Sequence, residues 1–378
     1  MKDEIVMSKD QLKVYRLALK VIDGSLKVKD FAVLVGCTER GAYKKLSRIR
    51  EMDYIGALHG NTSSVPVNKT SIDKEEIIVN LLKGKYEGFN LTHFREKLLE
   101  EEGIEIKKTT LQLIAKRHQI QKHPRRSRTR VHKPRPRMPQ EGMLVQYDGS
   151  PHIWFGDESS VLLAAIDDAT GKILAARFVE GETSLNGMRI LKQIIDENGI
   201  PEAFYMDQAG IYGKLDRDFT SQIARALQTL HCKLHIASSP QAKWRIERLF
   251  RTLQDRLVAE LKLRGVWNIE DANAYLEEFI AVFNRQFGVK ATDPTLAYLP
   301  NVFGDLELIF CKKEQRKVNN GNLFSYDGYP WVIDEKWNYN HRSVNINTHL
   351  DGSRSFDIMG KVVKVTKVTR KECLKTGT

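Results

Sequence analysis

Residues 143–179 have the sequence MLVQYDGSPHIWFGDESSVLLAAIDDATGKILAARFV, and this stretch decides the class of fold. It holds three apolar runs in direct succession, which are expected to pair antiparallel because no crossover connection separates them. Two later runs follow helical patterns and are predicted to join the same sheet as parallel strands. The five predicted strands lie near 143–148, 161–167, 172–179, 203–207 and 233–237.

Acidic residues mark two of these strands and one helix. Asp148 ends the first run, Asp207 ends the fourth, and Glu247 lies near the start of a predicted helix over 241–264. Carboxylate oxygens are preferred ligands of Mg²⁺, for which Mn²⁺ is expected to substitute, and two ions about 3.5–4 Å apart catalyse phosphoryl transfer. The sequence therefore predicts a catalytic metal site built from these three acids.

Each acid taken alone also has a simpler interpretation. An Asp at a strand end is more often a turn or capping residue, and other acids lie nearby in sequence, at Asp157, Glu158, Asp167 and Asp168. We interpret the last two as hairpin residues, because Ala-Thr-Gly follows them. The placement of the triad on strand, strand and helix favours the metal site.

The net charge of +12 is unevenly distributed along the chain. Residues 121–140 carry eight basic and no acidic side chains, together with four of the 11 prolines. Residues 141–300, which hold the three acids, carry 17 Lys or Arg against 22 Asp or Glu. Basic segments on both sides of an acidic metal site are typical of a protein that binds a polyanion, so we expect nucleic-acid binding.

The N-terminal residues predict a helix-turn-helix. A helical pattern over 28–35 is followed by Gly36-Cys37-Thr38 and by a second helix that begins at Glu39. In this motif the second helix enters the major groove, although an ordinary helical hairpin has the same pattern. The basic residues of the second helix are candidate DNA contacts, namely Arg40, Lys44, Lys45 and Arg48.

Further candidate DNA contacts lie in the basic segment and around the third acid. The proline- and arginine-rich segment cannot bury a core and is predicted to extend along phosphates or a minor groove, with a solubilising linker as the alternative. These candidates are Arg125, Arg126, Arg128, Arg130, Lys243, Arg245, Arg248 and Arg251.

Cysteine usage and hydropathy bear on the compartment. The four cysteines lack paired spacing and fit a reducing cytoplasm. No run of about 18 apolar residues predicts a membrane span, and the first residues lack the apolar core of a secretory signal. We expect a cytoplasmic protein with no membrane partner and no small-molecule substrate.

Several stretches together carry a resemblance to a known family: 145–155 (VQYDGSPHIWF), 166–170 (IDDAT), 239–243 (SPQAK), 246–248 (IER) and 251–257 (RTLQDRL). The chain resembles bacterial insertion-sequence transposases of the DDE type, which have a retroviral-integrase-like core, and looks closest to the ISNCY group. The resemblance covers nearly the whole chain. It implies a ribonuclease-H-like fold in which Asp148, Asp207 and Glu247 are the catalytic metal ligands.

The expected organisation is a multidomain α+β protein with a helical head, a mixed five-stranded α/β catalytic core and a small C-terminal β-barrel. The predicted domains are a helix-turn-helix over 1–56, a second helix-turn-helix-like DNA-binding domain over 73–120, a basic linker over 121–140, the ribonuclease-H-like core over 141–300 and the barrel over 315–370.

The resemblance implies a DNA transposase. Such an enzyme binds the terminal inverted repeats of a mobile element and catalyses metal-dependent cleavage and strand transfer on double-stranded DNA. We expect a homo-oligomer in the synaptic complex, associated with the nucleoid of a bacterial cell.

Two positions depart from the pattern of the group. Trp244 stands where a small residue is usual, and residues 208–212 replace a basic residue followed by His-Ser. Both lie next to predicted catalytic acids, so the alternative function is a catalytically impaired, transposase-derived DNA-binding protein. A ribonuclease H would explain the core but neither the helical head nor the basic segment.

Overall fold

The computed structural model describes residues 7–58, 69–120, 135–207, 219–237 and 244–368. The chain divides into two compact units, Met1–Ile78 and Val79–Thr378. The described helices are α1 Lys9–Ile22, α2 Val28–Val35, α3 Glu39–Met52, α4 Ile72–Lys83, α5 Leu91–Glu100, α6 Lys108–Arg117, α7 Ser184–Asn198, α8 Phe219–Thr229, α9 Trp244–Leu263, α10 Ile269–Phe287 and α11 Leu306–Ile309.

The first unit contains the predicted helix–turn–helix sequence of elements. Helix α2 ends at Gly36, whose φ of 70° is the left-handed conformation that glycine adopts without strain. Helix α3 begins after Thr38, whose hydroxyl accepts a hydrogen bond from the Gly41 N–H at 3.2 Å. Buried side chains from all three helices form one core, including Ala18, Phe31 and Leu46.

The second unit is organised around a mixed five-stranded sheet with the order β3-β2-β1-β4-β5. Its strands are β1 Val145–His152, β2 Ser160–Asp167, β3 Ile173–Val179, β4 Ala203–Asp207 and β5 Lys233–Ala237. The first three pair antiparallel, and the last two are parallel additions beside β1. The predicted strands and their directions are therefore confirmed.

Successive side chains along each strand point to opposite faces of the sheet, and both faces are buried. Val145 and Tyr147 of β1 pack into one core with residues of α7 and α8. Leu162 and Ala164 of β2 pack into the other core with residues of α9 and α10. Each face of the sheet is thus covered by a pair of helices, as expected for a sheet with crossover connections.

Strand β1 is longer than the sequence predicted. It continues four residues beyond Asp148 to His152, so Asp148 lies within the strand and not at its end. The polar residues of this extension are accommodated because β1 pairs along its full length with β2. Trp154, just after the strand, is fully buried and donates its indole N–H to the Ser150 carbonyl at 3.0 Å.

The C-terminal residues form two small sheets where the sequence predicted one barrel. A four-stranded sheet has the order β11-β10-β9-β6 and a three-stranded sheet has the order β12-β8-β7. The strands are β6 Lys312–Lys317, β7 Leu323–Tyr326, β8 Tyr329–Ile333, β9 Ser343–Thr348, β10 Arg354–Ile358, β11 Lys361–Val362 and β12 Val365–Lys367.

The barrel prediction is therefore wrong for the described residues. The hairpin signals behind it were sound, since Asp327 and Gly328 take positive φ values of 55° and 73° between β7 and β8. The last strands, β11 and β12, have only two and three residues. The two sheets pack around one shared core, but such short edge strands do not hydrogen-bond the sheets into a closed barrel.

Within the residues that the structure describes, no helix is both long enough and apolar enough to span a bilayer.

Candidate active site

Asp148 lies on the sheet face that α9 covers. It pairs with Ala164, whose side chain belongs to the core shared with α9 and α10. Gln146 and Ser150 lie two residues before and after it and therefore share its face. The Asp148 side chain is half-buried, and one carboxylate oxygen accepts the Gly149 N–H at 3.0 Å.

Asp207 is the last residue of the neighbouring parallel strand β4. The ladder between the two strands pairs Val145 with Phe204 and Gln146 with Tyr205. Continuing this register by two residues brings the backbone of Asp148 level with that of Asp207. Paired strands lie about 4.8 Å apart, so the fold brings two predicted ligands, 59 positions apart in sequence, to adjacent strands.

Helix α9 is tied to β1 at two places that flank Asp148. The Ile246 N–H donates to the Gln146 side-chain oxygen at 3.3 Å, and the Gln254 amide donates to the Ser150 hydroxyl at 3.2 Å. Eight helical residues rise about 12 Å and four strand residues about 13 Å. The helix therefore runs along β1, in the same direction and over the line of side chains that contains Asp148.

Glu247 lies on the side of α9 that adjoins β1. It precedes Gln254 by seven residues, which is about two helical turns, so the two side chains leave the helix within about 20° of each other. Since Gln254 contacts β1 directly, Glu247 points along the same edge of the helix. Its side chain is exposed in the first turn and is accessible from solvent.

The donor set fits a divalent metal ion. Asp148 and Glu247 offer carboxylate oxygens, one half-buried and one exposed, at the same face of the sheet. Mg²⁺ is commonly bound by one or two protein carboxylates, and its remaining coordination positions are filled by water and substrate phosphate. Within the part of the chain that the structure describes, no three His, Cys, Asp or Glu side chains form a group that could hold a metal ion, and the Asp207 side chain lies outside that part.

The acids also set the local electrostatics on the opposite face. Tyr147 is fully buried, and burial raises the pKa of its phenol well above the ordinary value. The negative charges of Glu182 and Asp148 raise the pKa further. Tyr147 is therefore a neutral core residue at physiological pH.

Arg245 has a structural partner that its predicted DNA-binding role did not include. It is buried, and its Nε donates to Asp168 Oδ1 at 2.8 Å. Asp168 was interpreted as a hairpin residue, but the carboxylate that bonds to the turn is that of Asp167, which accepts the Thr170 N–H at 2.7 Å. Asp167 also accepts the N–H of Gly142, before β1, at 3.0 Å. Burial raises the pKa of the Asp167 carboxyl.

Several predicted DNA contacts lie at the surface. Arg40, Lys44 and Lys45 are exposed on α3, and the exposed Arg48 donates to the Leu58 carbonyl at 3.3 Å. Arg248 and Arg251 are exposed on α9. The remaining candidates lie outside the described residues, namely Arg125, Arg126, Arg128, Arg130 and Lys243.

One basic surface was not singled out from the sequence. Four exposed cations recur at helical spacing along α1 and lie within about 60° of one another around the helix axis. They are Lys9, Lys13, Arg16 and Lys20. Their i, i+4, i+7 and i+11 spacing is visible in the sequence and could have predicted this surface. The apolar residues of the same helix predicted only the helix itself.

Helix α5 is docked on α9 through charged side chains, which the sequence did not indicate. Glu96 accepts from Arg256 at 2.7 Å, and Glu260 lies 2.8 Å from His93 and 2.9 Å from Lys97. Burial acts to raise the pKa of Glu260, but hydrogen bonds from His93 and Lys97 hold the pKa below its ordinary range. The predicted second DNA-binding domain thus contacts the core through at least one of its helices.

We expect this docking to be sensitive to acid. A carboxyl whose pKa is depressed in the folded state stabilises the fold above its unfolded pKa, about 4.3 for Glu, and the contribution is lost as pH falls through the lower folded value. In urea unfolding, the Glu260 contribution to the free energy should be constant down to about pH 4.3 and should then decline. Glu260→Gln should lower the free energy at pH 7 by about 1–2 kcal/mol and flatten the acidic limb. If the free energy of unfolding of this variant declines below about pH 4.3 as steeply as that of wild type, the acid sensitivity comes from other carboxylates.

Comparison with known proteins identifies the family. No family model matches the sequence. The chain is 32% identical over 340 residues to the putative transposase y4bF of Sinorhizobium fredii (strain NBRC 101917 / NGR234), covering 88% of this chain and 74% of that protein. It is 30% identical over 367 residues to the transposase for insertion sequence IS1202 of Streptococcus pneumoniae, covering 86% of this chain and 79% of that protein.

Among solved structures, one match is a chain of the simian T-cell lymphotropic virus intasome in complex with the PP2A regulatory subunit B56 gamma. The match has a TM-score of 0.34 and 14% identity and covers 70% of this chain and 92% of that chain.

The mixed α/β core and the sequence relatives define a polynucleotidyl-transferase-type enzyme. The chain belongs to the family of insertion-sequence transposases. This confirms the resemblance inferred from the sequence motifs, and the function is that of a DNA transposase.

Proposed function

We propose that this transposase cleaves the ends of its own mobile element and joins them to target DNA at a two-metal site formed by Asp148, Asp207 and Glu247. One observation carries the proposal: α9 lies along β1 and is fastened to it on both sides of Asp148, at Gln146 and Ser150. The order of the five strands supports a ribonuclease-H-like core.

The roles of the three acids follow from their elements. Asp148, in the central strand, would help to hold both metal ions, together with Asp207 for one ion and Glu247 for the other. Bound Mg²⁺, or Mn²⁺ in its place, supplies charge stabilisation at the attacking and leaving oxygens. Fixed acids on two strands and a helix would hold these positions before substrate arrives, so little reorganisation is needed during reaction.

The reaction would proceed in two displacements at one site. In the first, water attacks a phosphodiester at the element end and a 3′-hydroxyl leaves. In the second, that hydroxyl attacks a phosphodiester of the target, where a new P–O bond forms and the bond to the target's own 3′-oxygen breaks, so that a target 3′-hydroxyl leaves. Because Arg248 and Arg251 are exposed next to Glu247, we assign them to DNA phosphates, which they would grip while the acids act.

Sequence recognition would reside mainly in the N-terminal unit. Helix α3 would enter the major groove of the inverted repeat, and the basic segment over 121–140 would follow phosphates through Arg125, Arg126, Arg128 and Arg130. Double-stranded DNA at both element ends would be held by more than one copy of the chain in a synaptic complex.

A labelled duplex from the element end tests the proposal. We expect binding without metal, and nicking only when Mg²⁺ or Mn²⁺ is present. Binding with no metal-dependent nicking would instead support the impaired DNA-binding protein as the function.

We expect Lys44→Ala to weaken DNA binding more than Lys45→Ala. The buried side of α3 is formed by Ala42, Leu46 and Ile49, and Lys44 leaves the helix nearly opposite to them. Lys45 lies about 100° further round the helix. If Lys44 contacts a phosphate, its loss should reduce the slope of log K against log [salt] by about 0.9.

The measurement is fluorescence anisotropy of a labelled duplex at several salt concentrations, with both variants compared at each one. Equal slopes and equal affinities for the two variants would contradict the prediction that α3 faces DNA with the side that carries Lys44.

A further inference from the structure

Asp168 is a fully buried carboxylate that gathers hydrogen bonds from three parts of the chain. Its Oδ1 accepts from Arg245 at 2.8 Å, from Gln146 at 2.7 Å and from Arg135 at 2.5 Å. Its Oδ2 accepts the Met138 N–H at 2.8 Å. The turn of this hairpin is bonded by the carboxylate of the preceding residue, Asp167. The Asp168 carboxylate instead joins segments that are far apart in the sequence.

One of these bonds, and a second made by the Asp168 partner Gln146, hold the start of α9. Arg245 is the second residue of the helix, and Gln146 bonds in both directions, donating to Asp168 and accepting the Ile246 N–H at 3.3 Å. The first N–H groups of a helix have no partner within it, so Gln146 provides one that would otherwise be missing. Both bonds end on the two residues immediately before Glu247.

The same carboxylate connects α9 to β1. Gln146 lies two residues before Asp148 on the same sheet face, so a single side chain links the strand of one acid to the helix of another. A shift of α9 along or away from β1 would break the bond to Ile246 and expose the buried Arg245–Asp168 pair. The bonds therefore oppose the movement that would separate Glu247 from Asp148.

Trp244 and Arg135 complete this arrangement. The Arg245 guanidinium carbon lies 4.7 Å from the centre of the Trp244 ring, which covers it. Arg245 also donates to the Arg135 carbonyl at 2.7 Å, in the segment that precedes β1. The tryptophan that departs from the pattern of the group thus packs on the ion pair beside the site.

We propose that Asp168, Arg245 and Gln146 are positioning residues that set the metal affinity of the site by fixing Glu247 relative to Asp148. The proposal rests on the function proposed above, because it takes both acids to be metal ligands. Groups that orient metal ligands without touching the metal typically change metal affinity by about 10–100-fold when they are replaced.

The test compares variants of the full-length protein in two assays. One is calorimetric titration with Mn²⁺ in the absence of DNA, and the other is the Mg²⁺ midpoint for nicking of a plasmid that carries the element ends. Arg245→Lys keeps a positive charge next to Asp168 but loses the planar group that also reaches the Arg135 carbonyl. Gln146→Met keeps side-chain volume and removes both bonds. Each should weaken metal binding and raise the midpoint by about 10–100-fold, with a smaller loss of rate at saturating Mg²⁺.

Arg256→Met is the matched control. Arg256 is also a buried arginine of α9 paired with a carboxylate, Glu96, but it lies nine residues beyond Glu247. It should lower the melting temperature without moving the metal midpoint by more than about twofold. The proposal would be overturned by an equal shift in this control. It would also be overturned if Arg245→Lys and Gln146→Met, the two network variants, both had metal midpoints within twofold of wild type. Asp168, Arg245 and Gln146 would then stabilise the fold without affecting metal binding.

Glu247→Gln separates failure of this proposal from failure of the proposed function. If that variant binds Mn²⁺ and nicks as wild type does, the site itself is wrong and the positioning proposal falls with it. If it loses both properties while the network variants keep them, only the positioning proposal is overturned.

Discussion

Glu247→Gln is expected to leave DNA binding intact and to lower metal-dependent strand cleavage by about a thousandfold or more. The substitution keeps the size of the side chain and one of its oxygens but removes the negative charge. Since the side chain is exposed in the first turn of α9, it carries no packing that the change would disturb.

The size of the effect follows from what the carboxylate would do. A catalytic metal supplies several kcal/mol of transition-state stabilisation, and each 1.36 kcal/mol changes a rate about tenfold. A neutral amide is a poor ligand for Mg²⁺, which prefers charged oxygens. Losing one metal position therefore removes most of the acceleration, while phosphate contacts elsewhere still hold the DNA.

The measurement is cleavage of a labelled element-end duplex in Mg²⁺, with binding followed by gel shift. Glu277→Gln makes the same chemical change at an exposed position of α10 and should cleave as wild type does. Cleavage at an undiminished rate in Glu247→Gln would exclude Glu247 from the site, and loss of binding together with cleavage would point to damage of the fold.

Asp148→Asn is expected to abolish the stabilisation of the protein by Mg²⁺. A ligand that binds only the folded state at a hundred times its Kd adds about 2.7 kcal/mol to the free energy of unfolding. Asp148 lies in the central strand of the sheet, next to the strand that ends at Asp207, so its loss should affect both proposed metal positions. In wild type, the melting temperature should rise with Mg²⁺ concentration.

Without metal the same variant should melt no lower than wild type. In the proposed site the Asp148 and Asp207 carboxylates would repel each other, and neutralising one would relieve that repulsion. Thermal unfolding with and without Mg²⁺ measures both effects. Asp157→Asn, at an exposed acid in the loop after β1, should keep the full response to Mg²⁺. A metal-induced rise that survives in Asp148→Asn would remove this residue from the site.

Local sequence patterns were sufficient for most of the core. The apolar runs predicted all five strands of the sheet, and the helical pattern over 241–264 predicted α9. These elements depend on the alternation or helical repeat of neighbouring residues, which is visible in the chain itself. The parallel and antiparallel directions followed from the length of the connections.

Contacts between distant residues could not be predicted in the same way. Asp168 has the sequence context of a hairpin residue, and its partners Arg245 and Arg135 lie 77 and 33 positions away. The pairing of Glu96 with Arg256 spans 160 positions. Both depend on which helix packs on which face, and charged residues at these positions have the composition of an ordinary solvated surface. The C-terminal barrel failed for a related reason, since hairpin signals specify strand pairs but not whether a sheet closes.

By itself, the sequence determined the family, the class of core and the identity of the three candidate acids, because motif residues and hydrophobic periodicity are properties of short stretches. Only the tertiary structure decided that β1 runs on past Asp148, that α9 lies along it, and that a buried carboxylate fastens the two beside Glu247. These features arise from packing between segments far apart in the chain, where the free energy depends on the fit of whole surfaces and not on any local pattern.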